Sequence, residues 1–117
     1  MGQYFLIVNL DRREYLDPWK LGCGAKLLEI AANPCLNVLA FLLRQSSETG
    51  GGDIRKAYRN AGRWAGDRLA IVGDYDASGL YQACRDGAYV EISQEIRDEW
   101  NDFIEWEELK IRVLEAA

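Results

Sequence analysis

Three aspartates, Asp67, Asp74 and Asp76, stand around the ends of the apolar run Leu69-Ala70-Ile71-Val72. Carboxylates that converge on one point can hold magnesium for phosphoryl chemistry. The run reads as a buried strand, and at about 3.3 Å of rise per residue it holds Asp67 and Asp74 roughly 20 Å apart. Asp74 and Asp76 alone can share a site, joined by Asp53 or Asp11 from elsewhere. Gly-Asp-Tyr-Asp before Ser78-Gly79 is also what a turn into a capped helix requires, and that reading is preferred to a metal centre.

Upstream, Gly50-Gly51-Gly52-Asp53 could bring backbone N–H groups close to a phosphate, but it lacks the preceding strand and the Gly-Lys-Ser/Thr ending of a P-loop. Arg55, Lys56, Arg59, Arg63 and Arg68 follow, interleaved with Tyr58 and Trp64, a mixture suited to phosphate contact and base stacking. The candidate ligand set is therefore Asp53, Arg55, Arg63, Arg68, Asp74 and Asp76. It would take a nucleotide-like phosphate, or hydrolyse a phosphoester with metal assistance. Magnesium enters only under that alternative, and no other cofactor is expected. A net charge of −5 disfavours nonspecific nucleic-acid binding.

Between Glu91 and Glu108 there are eight acids and one arginine, Arg97. The bland account of such a run is a solvated helix face. The functional account is docking on a basic protein partner. Trp100 fits a core stripe, whereas Glu105, Trp106 and Glu108 are the candidate partner-binding residues, since tryptophan is enriched in binding hot spots.

The sequence contains no histidine, which removes the usual general base at neutral pH and the commonest metal ligand. Cys23, Cys35 and Cys84 are odd in number and lack CxxC spacing, so neither a disulfide framework nor a zinc ribbon is expected. Cys35 and Cys84 read as small buried hydrophobes, and Cys23 as a tight-turn residue. No apolar run is long enough to cross a bilayer. The opening residues leave no room for a signal peptide, so a cytoplasmic protein of the producing or host cell is expected.

The elements that must position these groups are legible in outline. Tyr4-Phe5-Leu6-Ile7-Val8-Asn9-Leu10 hardly alternates, as a strand covered on both faces does, and belongs near the middle of a sheet. Asp11-Arg12-Arg13 turns it into Glu14-Tyr15-Leu16 as an antiparallel hairpin, ended by Pro18. Two helices are predicted over 24–32 and 34–44, with Asn33 as N-cap of the second. Residues 45–63 form one long connection in which Asp53 caps a short helix over 54–60. After the strand at 69–72 come a helix over 78–86 closed by Gly87, and an edge strand at Tyr89-Val90-Glu91-Ile92. A last acidic helix begins at Ser93, with Trp106, Leu109 and Val113 continuing it on a shifted stripe. The 117 residues thus describe one α+β domain: a small, mainly antiparallel sheet of about four strands packed against helices.

Met1-Gly2-x-Tyr4, Val8-Asn9-Leu10-Asp11, Glu14-Tyr15-Leu16 and Pro18, then Gly50-Gly51-Gly52-Asp53 and Trp64-x-Gly66-Asp67-Arg68, resemble a scattered family of small microbial and viral-type proteins. The resemblance covers roughly the first two-thirds of the chain. It implies no activity and no site residue. Small size without catalytic groups leads to the expectation of a non-enzymatic interaction or regulatory protein, an accessory or counter-defence factor of a virus or mobile element, binding through an acidic C-terminal helix.

Overall fold

Strands β1 (Phe5–Asn9), β2 (Glu14–Leu16), β3 (Leu69–Gly73) and β4 (Val90–Glu91) form one sheet in the order β3-β1-β2-β4 in the computed structural model, which describes residues 3–112. β1 pairs antiparallel with both neighbours, with Ile7 opposite Leu16 on one side and Ile71 on the other. β2 and β4 run parallel. The predicted α+β fold is therefore correct, with a mixed sheet.

Both faces of β1 are covered, which is why its sequence does not alternate in polarity. On one face Ile7 and Leu16 join Leu21, Val38, Phe41, Leu42, Trp64, Ile96 and Trp100. On the other, Leu6 and Val8 pack with Tyr15, Val72 and Cys84. Of the helices α1 (Leu27–Ala32), α2 (Val38–Leu42), α3 (Leu80–Arg85) and α4 (Ser93–Phe103), α2 supplies Val38, Phe41 and Leu42, α3 supplies Cys84, and α4 supplies Ile96 and Trp100, while α1 buries Ile30. Proline accounts for the break between α1 and α2: Asn33 adopts extended backbone before Pro34, which opens a 3-10 turn into α2. Asn33 does not cap that turn with its side chain. Its amide instead donates to the Glu29 carbonyl at 2.7 Å, closing α1.

Four expectations are corrected. β3 is an edge strand with Ile71 44% exposed, not a buried one. Residues 54–60 form no helix, because Asp53 is bound to Arg44 and the segment spreads its basic side chains towards α4. α4 stops at Phe103, where Ile104 turns extended, so Glu105, Trp106 and Glu108 lie beyond the acidic helix. The physical cause is a return of the chain: Trp100 Nε1 donates to the Leu109 carbonyl, and the Asn101 amide bonds both backbone groups of Ile111. Val113 lies outside the described residues. Finally, Cys23 is disulfide-bonded, against the expectation of a chain without such bonds.

The long connection is docked along its length. Gly62 and Trp64 donate backbone N–H groups to the Phe41 and Leu42 carbonyls at the end of α2, each at 2.9 Å. Gly62 has φ +78, and a Cβ there would sit 2.6 Å from the Arg44 carbonyl oxygen, so only glycine allows this approach.

Candidate functional site

The basic segment and the acidic helix, two separate surfaces in the sequence, face each other. Arg55 pairs with Glu105 at 2.5 Å, Lys56 with Asp102 at 2.8 Å, and Arg59 with Glu95 at 3.7 Å. Lys56, and after it Tyr58, hold the Asp102 carboxyl below its ordinary value. Aromatic packing fastens the same seam: Tyr58 meets Phe41 edge-on at 5.7 Å and Phe103 at 5.9 Å, and Phe103 meets Trp100 at 5.7 Å. The charge asymmetry is thus largely consumed within the molecule.

Arg63 is the deepest member of the set. Its guanidinium embraces both carboxylate oxygens of Glu14 on β2, donates to the Asn60 side chain at 2.7 Å and lies 3.3 Å from Glu95. The Arg63 and Glu14 side chains are only 16% and 10% exposed. Trp64 Nε1 donates to the same carboxylate at 2.8 Å, and the fully buried Asn60 bonds Glu99 through backbone and side chain. Burial alone would raise the Glu14 carboxyl, but the hydrogen bonds from Arg63 and Trp64 hold it below its ordinary value. A buried charge satisfied this completely serves the fold. Glu14, Asn60 and Trp64 were missed as a unit by the sequence reading. An acid between the hydrophobic ends of a hairpin was the signal available for Glu14.

The remaining candidates disperse. Arg68 is bound through Nε, Nη2 and its backbone N–H to Asp11, whose carboxyl its side chain holds low. Asp74 accepts the Tyr4 N–H at 3.1 Å where the β1–β3 ladder ends. Asp76 accepts from the hydroxyl and backbone N–H of Ser78, as the turn reading expects, and that hydroxyl is the main cause of its lowered pKa. Asp53 bonds Arg44 Nε at 2.5 Å, while the other arginine nitrogens take the Ser46 and Glu48 carbonyls and so shape the loop before the glycines. Asp53 and Asp76 line different cavities. Among the described residues, no group of three or more Asp, Glu or Cys side chains is placed to hold a metal ion.

One place does unite both predicted sets. Asp53, Arg55, Glu105 and Trp106 line a single cavity of about 350 Å³ whose apolar wall is Tyr58, Phe103 and Ile104. Trp106 is 63% exposed at this cavity. Glu108 lies outside it, exposed and without an ion-pair partner among the described residues. Fold and cavity together define a small α+β protein with an exposed tryptophan beside an internally neutralised seam. No family model matches the chain, and the comparisons with curated proteins and with solved structures found no match either. No helix of the described residues is long and apolar enough to cross a membrane.

Proposed function

We propose that the chain is a non-enzymatic interaction protein that receives a protein partner where Trp106 stands. The observation that carries this reading is Trp106 itself: a large aromatic side chain, mostly exposed, beside an apolar-walled cavity with Tyr58, Phe103 and Ile104. An aromatic anchor beside a pocket is the usual nucleus of a binding hot spot. Glu108, with no ion-pair partner among the described residues, supports a basic rather than an acidic partner. An accessory or counter-defence role for a virus or mobile element is the setting we attach to this reading. A cytoplasmic site of action would require the Cys23 disulfide to be reduced there, because cytosolic thiols are kept so.

Affinity capture with the intact chain, Trp106→Ala and Glu108→Lys tests the reading. A partner held by the intact chain and lost from both variants supports it. Equal recovery on all three overturns it. In the nucleotide-phosphate alternative, Arg55, Arg63 and Arg68 would first have to leave Glu105, Glu14 and Asp11. A thermal shift with a nucleotide panel plus magnesium would favour that alternative, since ligand at about 100 times its Kd adds roughly 2.7 kcal/mol.

A further inference from the structure

The two edges of the sheet are treated differently. At one edge β4 has only two residues, and its Glu91 is held by Lys20 at 2.9 Å, so that edge is short and charged. The other edge is β3, five residues of Leu-Ala-Ile-Val-Gly without a charge or a proline. Natural edge strands are normally blunted against pairing with another chain, and β3 is not.

The hydrogen-bond pattern says which backbone groups are open. The Leu10 N–H bonds the Arg68 carbonyl and the Asp74 N–H bonds the Tyr4 carbonyl, each at 2.9 Å, at the two ends of the β1–β3 ladder. Alternate residues of an antiparallel pair exchange bonds. Arg68, Ala70, Val72 and Asp74 therefore turn their backbone groups to β1, and Leu69, Ile71 and the Gly73 N–H face the edge, the Gly73 carbonyl accepting the Asp76 N–H. Among the described residues, the N–H and C=O of Ile71 have no partner. The Ile71 side chain is partly bare as well, beside an open groove lined by Phe5, Ala70, Val72, Tyr75 and Leu80.

We propose that β3 pairs antiparallel with β3 of a second copy of this chain, about a two-fold axis at Ile71, joining the two sheets into one. The strand's own sequence argues for this occupant. In that register Ile71 exchanges both backbone bonds with its counterpart, and the Gly73 N–H meets the Leu69 carbonyl of the second copy, the Gly73 carbonyl being held by the Asp76 N–H at 3.0 Å. Ala70 stands opposite Val72. Immediately outside the apolar stretch, Arg68 stands opposite Asp74 of the second copy, and by symmetry Asp74 opposite Arg68. Both are exposed, the Arg68 side chain 75% so; Arg68 holds Asp11 within its own chain and would share its guanidinium with Asp74 of the second copy. Opposite charges facing across a ladder stabilise it, and a C2 interface repeats the pair. Of the two-fold registers near Ile71, this one centres on the residue whose two backbone groups are both open and sets each arginine against an aspartate. The inference goes beyond the Trp106 reading and uses none of its residues.

Sedimentation of the intact chain over roughly 1 to 500 µM tests it, a range suited to interfaces too small to be permanent. The expected result is a concentration-dependent species of twice the 13.3 kDa chain mass. Ile71→Lys places like charges together at the axis and should weaken the dimer by at least about tenfold, with circular dichroism unchanged. Hydrogen exchange gives a reading that needs no substitution: the Ile71 and Gly73 amides should gain protection as concentration rises. A chain monomeric throughout the range overturns the proposal, even if the edge later accepts another protein's strand. So does a dimer that survives in folded Ile71→Lys, or one whose formation leaves those two amides unprotected.

Discussion

Arg55 Nη2 lies 2.5 Å from Glu105 Oε1, so a residue assigned from the sequence to a phosphate clamp is the ion-pair partner of one assigned to a protein-docking surface. The pair is exposed and therefore worth little in stability. Its meaning is positional, because it sets the loop bearing Asp53 beside Trp106 at one cavity.

The contrast between the two tryptophans of the C-terminal region follows directly. Trp100 is buried, packs on Phe41 and Phe103 and donates to the Leu109 carbonyl. Trp100→Ala should cost about 3 to 5 kcal/mol in urea unfolding. Trp106→Ala should change stability by less than about 0.5 kcal/mol while abolishing partner capture. An equal loss of stability in both variants would place Trp106 in the fold rather than in recognition.

Removing Arg63 leaves the Glu14 carboxylate, between β2 and the long connection, with only the Trp64 indole N–H at 2.8 Å and the exposed Arg12 at 3.4 Å. Arg63→Met should destabilise by about 3 kcal/mol, the scale for breaking one side of a buried ion pair. Adding Glu14→Gln to that variant should recover part of the loss, since no buried charge then remains at the pair. A double variant no more stable than Arg63→Met alone would contradict the assignment.

Acid should act through the same carboxylate. Burial raises the Glu14 pKa, but the Arg63 and Trp64 hydrogen bonds outweigh it, leaving the folded value below the ordinary 4.5. A group depressed in the folded state contributes its full stability above the unfolded value and loses it as pH falls through the folded one. Asp11 and Asp102, also lowered, act in the same sense. Stability measured from roughly pH 5 to pH 3 should therefore fall in the intact chain, and fall less steeply in Glu14→Gln.

Cys84 provides a probe of global opening. It is almost wholly buried against Leu6, Val8 and Val72, and burial pushes its thiol up from the ordinary 9.0. A disulfide reagent at neutral pH should leave it untouched in the folded protein and modify it in urea, because only the exposed thiolate reacts. Rapid labelling without denaturant would mean that α3 opens away from the sheet.

Much of the architecture was legible because local rules were sufficient for it. Unalternating β1, the polar turn at 11–13 and the Pro34 break each follow from how backbone and side chains behave within a few residues. The helix expected over 54–60 was not found, since its polar residues were claimed by distant partners: Asp53 by Arg44, Lys56 by Asp102, Arg59 by Glu95. Ser93 illustrates the same override. Its expected capping role gives way to accepting the Asp17 N–H at 2.7 Å.

By itself, the sequence determined the residue types at hand: no histidine chemistry, an acidic balance, a centrally buried first strand and a tryptophan, Trp106, among acids. Only the tertiary structure decided who meets whom. It spent the arginines on Glu14, Asp11 and Glu105, kept Asp53 away from Asp76, and left β3 rather than a longer β4 at the open edge. The physical reason is that charge pairing and strand order are long-range choices, made by whichever groups the folded core brings within a few ångströms, whereas local sequence encodes only the backbone's preferences.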